Sequence, residues 1–184
     1  MDIILNKTFS VFTLLLQVFI FIGFLYFLFP SFRQKRYFKQ FYKFLLNKYF
    51  KLSFLIVLGA TLGSLFYSEI VGLPPCDLCW YQRIFIYPQV LILGFAIYKK
   101  EDKVLLDLTL LTSFIGLLLA GYHYLIQMTG SDSFFCDPSS SVANCSNIQI
   151  MELGYITMPM MSFTVFLFLL VFGLLRRKFS KDIS

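Results

Sequence analysis

The chain has 184 residues, of which 58% are hydrophobic, 20% aromatic and only 14% charged, with a formal net charge of +6. An ordinary soluble domain carries about a quarter of its residues as charged groups, so that class is excluded. What remains is a membrane protein, with the lipid bilayer as its solvent and no nucleic-acid partner expected. Crossing a hydrocarbon layer of about 30 Å takes about 20 apolar residues in a helix, whose internal hydrogen bonds satisfy the backbone there.

Five segments meet that requirement. The first, 8–29, has an apolar run too long for a signal peptide, only Lys7 before it and no small-residue cleavage site after it, so it is expected to be a retained anchor. It is followed by "FRQKRYFKQFYKFLLNKYFK", where seven cations alternate with aromatic residues and no acid occurs. That connector fits either an amphipathic helix lying on the membrane surface or a plain topology signal. The remaining spans are predicted at 52–72, 80–98, 104–127 and 153–175. A tight turn at 99–103 and a polar loop at 128–152 leave no room for a soluble domain.

Charge sets the orientation. Fourteen of the 16 basic residues fall in the connector, in Lys99, Lys100 and Lys103, or in Arg176, Arg177, Lys178 and Lys181. With five spans these three regions share one side, which the positive-inside rule makes cytoplasmic. The C-terminus is then cytoplasmic and the N-terminus outside. All four cysteines, Cys76, Cys79, Cys136 and Cys145, fall on the outer side, where disulfides persist.

The stretch "LPPCDLCWYQRIFIYP" concentrates the chemistry. Pro74 and Pro75 end one span, so Cys76 and Cys79 begin the next helix, where free N–H groups and the helix dipole stabilise a thiolate. Arg83 lies one turn beyond Cys79 on the same face, and an arginine just inside a membrane marks a functional site. Its expected partner is a thiolate or a ligand oxygen. Cys136 and Cys145 bracket the polar "DPSSSVAN", which suits either a stabilising bridge or an exchanging disulfide. A zinc site with four cysteine ligands is an alternative, although the C-x2-C and C-x8-C spacings are unusual for one.

The residues "CDLCWYQR", "GYHYLIQ", and "CSN" through "GYITMPMMSF" closely resemble the DsbB family of membrane disulfide oxidoreductases, especially its shorter BdbC-like branch. The resemblance implies an all-α integral membrane protein, a four-helix transmembrane bundle over residues 52–175. To this the chain adds an anchor at 1–31, a connector at 32–51 and a basic tail at 176–184. The anchor and connector have no counterpart in the four-helix core, and the loop between Cys136 and Cys145 is shorter than in the best-known members.

The resemblance further implies a bacterial cytoplasmic (inner) membrane enzyme that reoxidises a DsbA-like, thioredoxin-fold oxidase and passes electrons to ubiquinone or menaquinone from the membrane pool. Carried over by position, Cys136 looks like the residue attacked by the partner, Cys145 its resolving partner exchanging with Cys76, and Cys79 the thiolate facing the quinone beside Arg83. An exporter of reducing equivalents would run electrons the other way, but such proteins usually carry their cysteines within the spans.

Several polar residues have two readings. His123, the single histidine, suits a quinone ligand and proton shuttle or a packing residue. Gln82 and Glu69 read as interfacial. Gly59 with Gly63, and Gly116 with Ala120, read as helix-packing pairs. Trp80, Tyr81 and Tyr87 read as an aromatic belt, the first two also as candidate pocket walls. Met158, Met160 and Met161 read as soft packing.

Overall fold

The computed structural model describes residues 2–28, 36–99, 103–131, 136 and 144–183. Among them are six α-helices: α1 (Asp2–Leu28), α2 (Arg36–Asn47), α3 (Tyr49–Leu65), α4 (Asp77–Tyr98), α5 (Lys103–Thr129) and α6 (Met158–Ile183). A π-helical turn, Phe66–Ile70, extends α3, and a small hairpin of β1 (Met151–Glu152) and β2 (Ile156–Thr157) precedes α6.

Four stretches are long and apolar enough to cross a membrane: Asn6–Leu25, Tyr49–Ile70, Lys103–Thr129 and Met158–Phe179. Helix α4, with 22 residues, has the length for about 33 Å. Its polar side chains, Gln82, Arg83 and Gln89, are buried within the protein, so its low hydropathy reflects an interior face. The chain is thus an all-α, multi-pass membrane protein with an additional N-terminal apolar helix.

Helix α6 is the hub, packing against α5, α1, α2 and α3, while α4 sits between α3 and α5. Its crossing with α5 is close because Gly116 has no side chain: a Cβ there would lie 2.4 Å from the Phe166 ring. Phe166, Leu169 and Leu175 of α6 are fully buried with Val57, Leu93 and Ala120. Tyr49 donates to the Leu169 carbonyl at 3.0 Å, tying α3 to α6, and Gln89 bonds Ser113 across α4 and α5 at 3.2 Å.

Three expected boundaries change. The connector 32–51 is divided: 36–47 forms α2, and Tyr49 already begins the spanning helix. Tyr42 and Leu46 of α2 are buried, and Arg176 donates to the Leu46 carbonyl while stacking 4.8 Å over Phe50. This segment therefore docks on the protein, which neither reading of the connector included. The last helix starts at Met158 and not at 153, because Leu153 (φ 53) and Gly154 (φ 77) turn left-handed and fold 151–157 into the hairpin.

Candidate active site: a dithiol between a disulfide and an apolar cavity

The site begins where α3 stops. The π turn closes with Val71 N–H bonded to the Phe66 carbonyl at 3.1 Å, and Gly72 adopts φ 76. Pro74 and Pro75 cannot continue a helix. Cys76 then takes extended angles (φ −75, ψ 169) as the N-cap of α4, and its carbonyl accepts the Trp80 N–H at 3.1 Å. Cys79 stands in the first turn, with the two sulfurs 3.0 Å apart as free thiols. Cys136 and Cys145 are joined in a disulfide.

Cys76 faces that disulfide. With Leu78, Ile126 and Cys145 it forms a buried cluster, against which Cys79, Tyr122 and Cys136 pack. His123 bridges the two halves: its Nε2 is 3.2 Å from the Cys145 carbonyl oxygen and 3.6 Å from Cys76 Sγ. Gln82 Nε2 lies 2.8 Å from His123 Nδ1, and when its amide donates there, the ring proton sits on Nε2, facing Cys76. The hydrogen bond from the Cys79 thiol, and secondarily His123, outweigh burial and pull the Cys76 thiol down to about 5 from 9.0. The pair therefore shares one proton, with Cys76 as the thiolate and Cys79 as its donor.

Cys79 faces the other way. With Gln82 and Arg83 it lines an apolar cavity of about 380 Å³ between α1, α3, α4 and α6. Arg83 is buried, and its Nε and Nη2 donate to the Ser64 hydroxyl and carbonyl at 3.0 and 3.1 Å. Its guanidinium also stacks 5.1 Å from the Trp80 ring. A buried cation is thereby fixed at the cavity wall by neutral acceptors, with its charge left uncompensated by them.

The segment after Cys145 is pinned to the same platform. Gln127 donates to the Asn147 carbonyl at 3.2 Å and Gln149 to the Pro74 carbonyl at 2.9 Å. These long-range bonds hold Cys145 beside the start of α4.

The four cysteines assemble in one place, with Arg83 on the Cys79 side as the sequence suggested. His123, expected as a quinone ligand or a packing residue, sits on the Cys76 side and is not among the residues lining the apolar cavity. Arg83 is held by Ser64, not by a thiolate. Gln82 is buried and hydrogen-bonded to His123, where an interfacial residue was expected; Glu69 is exposed as expected. Trp80 and Tyr81 are exposed and do not line the cavity, whereas Met158 and Met161 do. The alternative four-cysteine zinc site fails because Cys136 and Cys145 are bonded to each other. Cys76, Cys79 and His123 are the three-ligand cluster found among the described residues, but sulfurs 3.0 Å apart are closer than the about 3.8 Å of two thiolates on a tetrahedral zinc.

Comparison with known proteins agrees with this geometry. The family described as "Disulfide bond formation protein DsbB" matches residues 47–175. The SPbeta prophage-derived disulfide bond formation protein B of Bacillus subtilis (strain 168) is 43% identical over 128 residues, covering 70% of this chain and 83% of that protein. Disulfide bond formation protein C of the same organism is 38% identical, covering 65% and 86%. The probable disulfide formation protein of Oceanobacillus iheyensis is 43% identical, covering 63% and 79%. No solved structure matches the chain. With two cysteine pairs converging at the end of a membrane helix bundle, and with these relatives, the chain belongs to the DsbB family of membrane disulfide oxidoreductases, in its BdbC-like branch.

Proposed function

We propose that this protein is a thiol:quinone oxidoreductase that reoxidises a DsbA-like, thioredoxin-fold oxidase on the outer face of the bacterial cytoplasmic membrane. One observation carries the reading: the reduced pair faces two ways, Cys76 toward the Cys136–Cys145 disulfide and Cys79 toward an apolar cavity with a fixed arginine.

The exchange proceeds by displacement at sulfur. A partner thiolate attacks Cys136, Cys145 leaves as a thiolate, and the partner's second thiol resolves the mixed disulfide, so the partner departs oxidised. Cys145 then attacks Cys76 of a Cys76–Cys79 disulfide, and Cys79 leaves. Attack of Cys136 on Cys145 recloses the outer disulfide and expels Cys76. The low thiol pKa of Cys76, supported by Cys79 and His123, makes it a good leaving group in that step. An outer disulfide closed beside a reduced inner pair is the arrangement that this transfer would leave, and it matches the described geometry.

Closing the Cys76–Cys79 bond releases two electrons and two protons. A bound ubiquinone or menaquinone supplies the two-electron, two-proton acceptor. The cavity fits that group: it is apolar along its length, and Arg83 and Gln82 stand beside Cys79 where a quinone oxygen needs hydrogen-bond donors. Arg83 stabilises negative charge at that end and is held in place by Ser64.

The test is quinone reduction by the purified protein supplied with a reduced thioredoxin-fold partner. Cys79→Ser abolishes it; activity that survives this change overturns the mechanism. Arg83→Ala raises the quinone KM about tenfold or more, in line with loss of a charged hydrogen-bond donor worth about 1.5–3 kcal/mol. The quinone-free exchange between Cys136 and the partner stays intact, and an equal loss there removes Arg83 from the quinone step.

A further inference from the structure

Helix α1 lies outside the stretch that matches the family, which begins at residue 47. Even so it supplies one whole side of the cavity, through Phe9, Phe12, Thr13 and Leu16. Those positions are spaced i, i+3, i+4 and i+7, a single stripe along the helix. Val11 and Leu15, between them, are 57% and 51% exposed and do not line the cavity, while Phe12 lines it with 47% of its surface still exposed.

Specific contacts fix α1 in this place. Tyr67 at the end of α3 donates to Asn6 Oδ1 at 2.5 Å, Gln17 donates to Thr164 of α6 at 3.2 Å, and Tyr155 of the hairpin loop donates back to Gln17 at 2.9 Å. The Phe9 ring lies against Gly63, 3.0 Å from where a Cβ would stand, so the missing side chain admits it. The next residue, Ser64, holds Arg83. Phe9 therefore closes over the cavity beside its charged end. On the α3 side Gly59, which also lines the cavity, has no atom within 4 Å of its Cβ position, so the cavity is open there.

We propose that α1 is the lipid-side wall of the acceptor site, with Phe9, Phe12 and Leu16 contacting an isoprenoid quinone and determining which quinones are accepted. The proposal rests on reading the cavity as the quinone site. Without α1 the crevice between α3 and α6 opens to lipid; with it, the acceptor is enclosed on that side, where packing against its ring and first prenyl units contributes affinity.

The full-length protein in nanodiscs provides the test, with two readouts: quinone extracted per protein after purification, and the KM for quinone against the KM for the reduced partner. Thr13→Phe narrows the cavity from α1 and Gly59→Leu narrows it from α3. Each lowers bound quinone and raises the quinone KM at least tenfold, with the partner KM unchanged. Phe9→Ala, which removes bulk, weakens discrimination between quinones of long and short prenyl chain. Leu15→Ala, on the outward face, changes none of these. If Gly59→Leu has its effect while Thr13→Phe and Phe9→Ala have none, the α1 inference is overturned and the cavity reading stands. If wild-type protein holds a phospholipid and reduces no quinone, both fall together.

Discussion

Cys76 and Cys79 are three residues apart in one helical turn, yet the fold gives them opposite surroundings. Cys76 receives hydrogen bonds from Cys79 and from His123, and its thiol is lowered to about 5. For an acid with a lowered pKa the charged form persists as pH falls until that value is crossed. Reduced protein should therefore show ultraviolet thiolate absorbance that is lost on acidification near pH 5, well below the ordinary thiol range. His123→Ala should move the midpoint upward by about one unit, or about 1.4 kcal/mol, and Gln82→Leu should move it in the same direction by less. An unmoved midpoint in His123→Ala would leave the imidazole a packing group. Sequence spacing placed both cysteines at a helix start, because proline and the C-x-x-C motif are local signals. It did not reveal Gln82 with His123 or Arg83 with Ser64, since those partners lie 41 and 19 residues apart and meet through helix packing alone.

Two small-residue pairs that look alike in the sequence diverge at the scale of elements. Gly116 sits under Phe166, so even a methyl group collides with the ring at 2.4 Å. Gly59 faces the cavity with nothing within 4 Å, while its mate Gly63 receives Phe9. Gly116→Ala should destabilise by about 1–3 kcal/mol through overpacking, and Gly59→Ala should be neutral or stabilising by up to about 1 kcal/mol through helix propensity. Thermal unfolding in detergent separates them: Tm falls for the first and holds or rises for the second, and equal responses would contradict the crossing geometry. Four apolar helices were legible because length and hydropathy dictate them, and α4 was legible by its length although its hydropathy is lower. The hairpin at 151–157 was not, because its residues extend the apolar composition of α6 and only Gly154 signals a turn. Nor was the docking of α2, where Arg176 reads as one more topology charge but is buried against the Leu46 carbonyl, favourably placed at a helix C-terminus.

At the scale of the whole molecule, the fold fixes which ends lie together, and charge argues which side they face. Asn6 of α1 bonds Tyr67 next to the turn that leads to Cys76, so the start of the chain lies at the cysteine end. At the opposite end Arg177 pairs with Asp107 at 3.1 Å, beside the basic tail and the start of α5. The basic tail thus begins at the end away from the cysteines, and from the positive-inside rule we propose that this end faces the cytoplasm. On that proposal the chain makes an odd number of crossings, with the N-terminus outside and the C-terminus inside. Epitope tags placed ahead of Met1 and after Ser184 test this in cells with a permeable outer layer: external protease should remove the first tag and spare the second. Two tags on one side would mean that α1 does not cross, and its contacts with Thr164 and Tyr67 would then need a different path through the membrane. The reverse pattern would place the cysteines in a reducing compartment, where a stable Cys136–Cys145 disulfide could not be the oxidant for a partner.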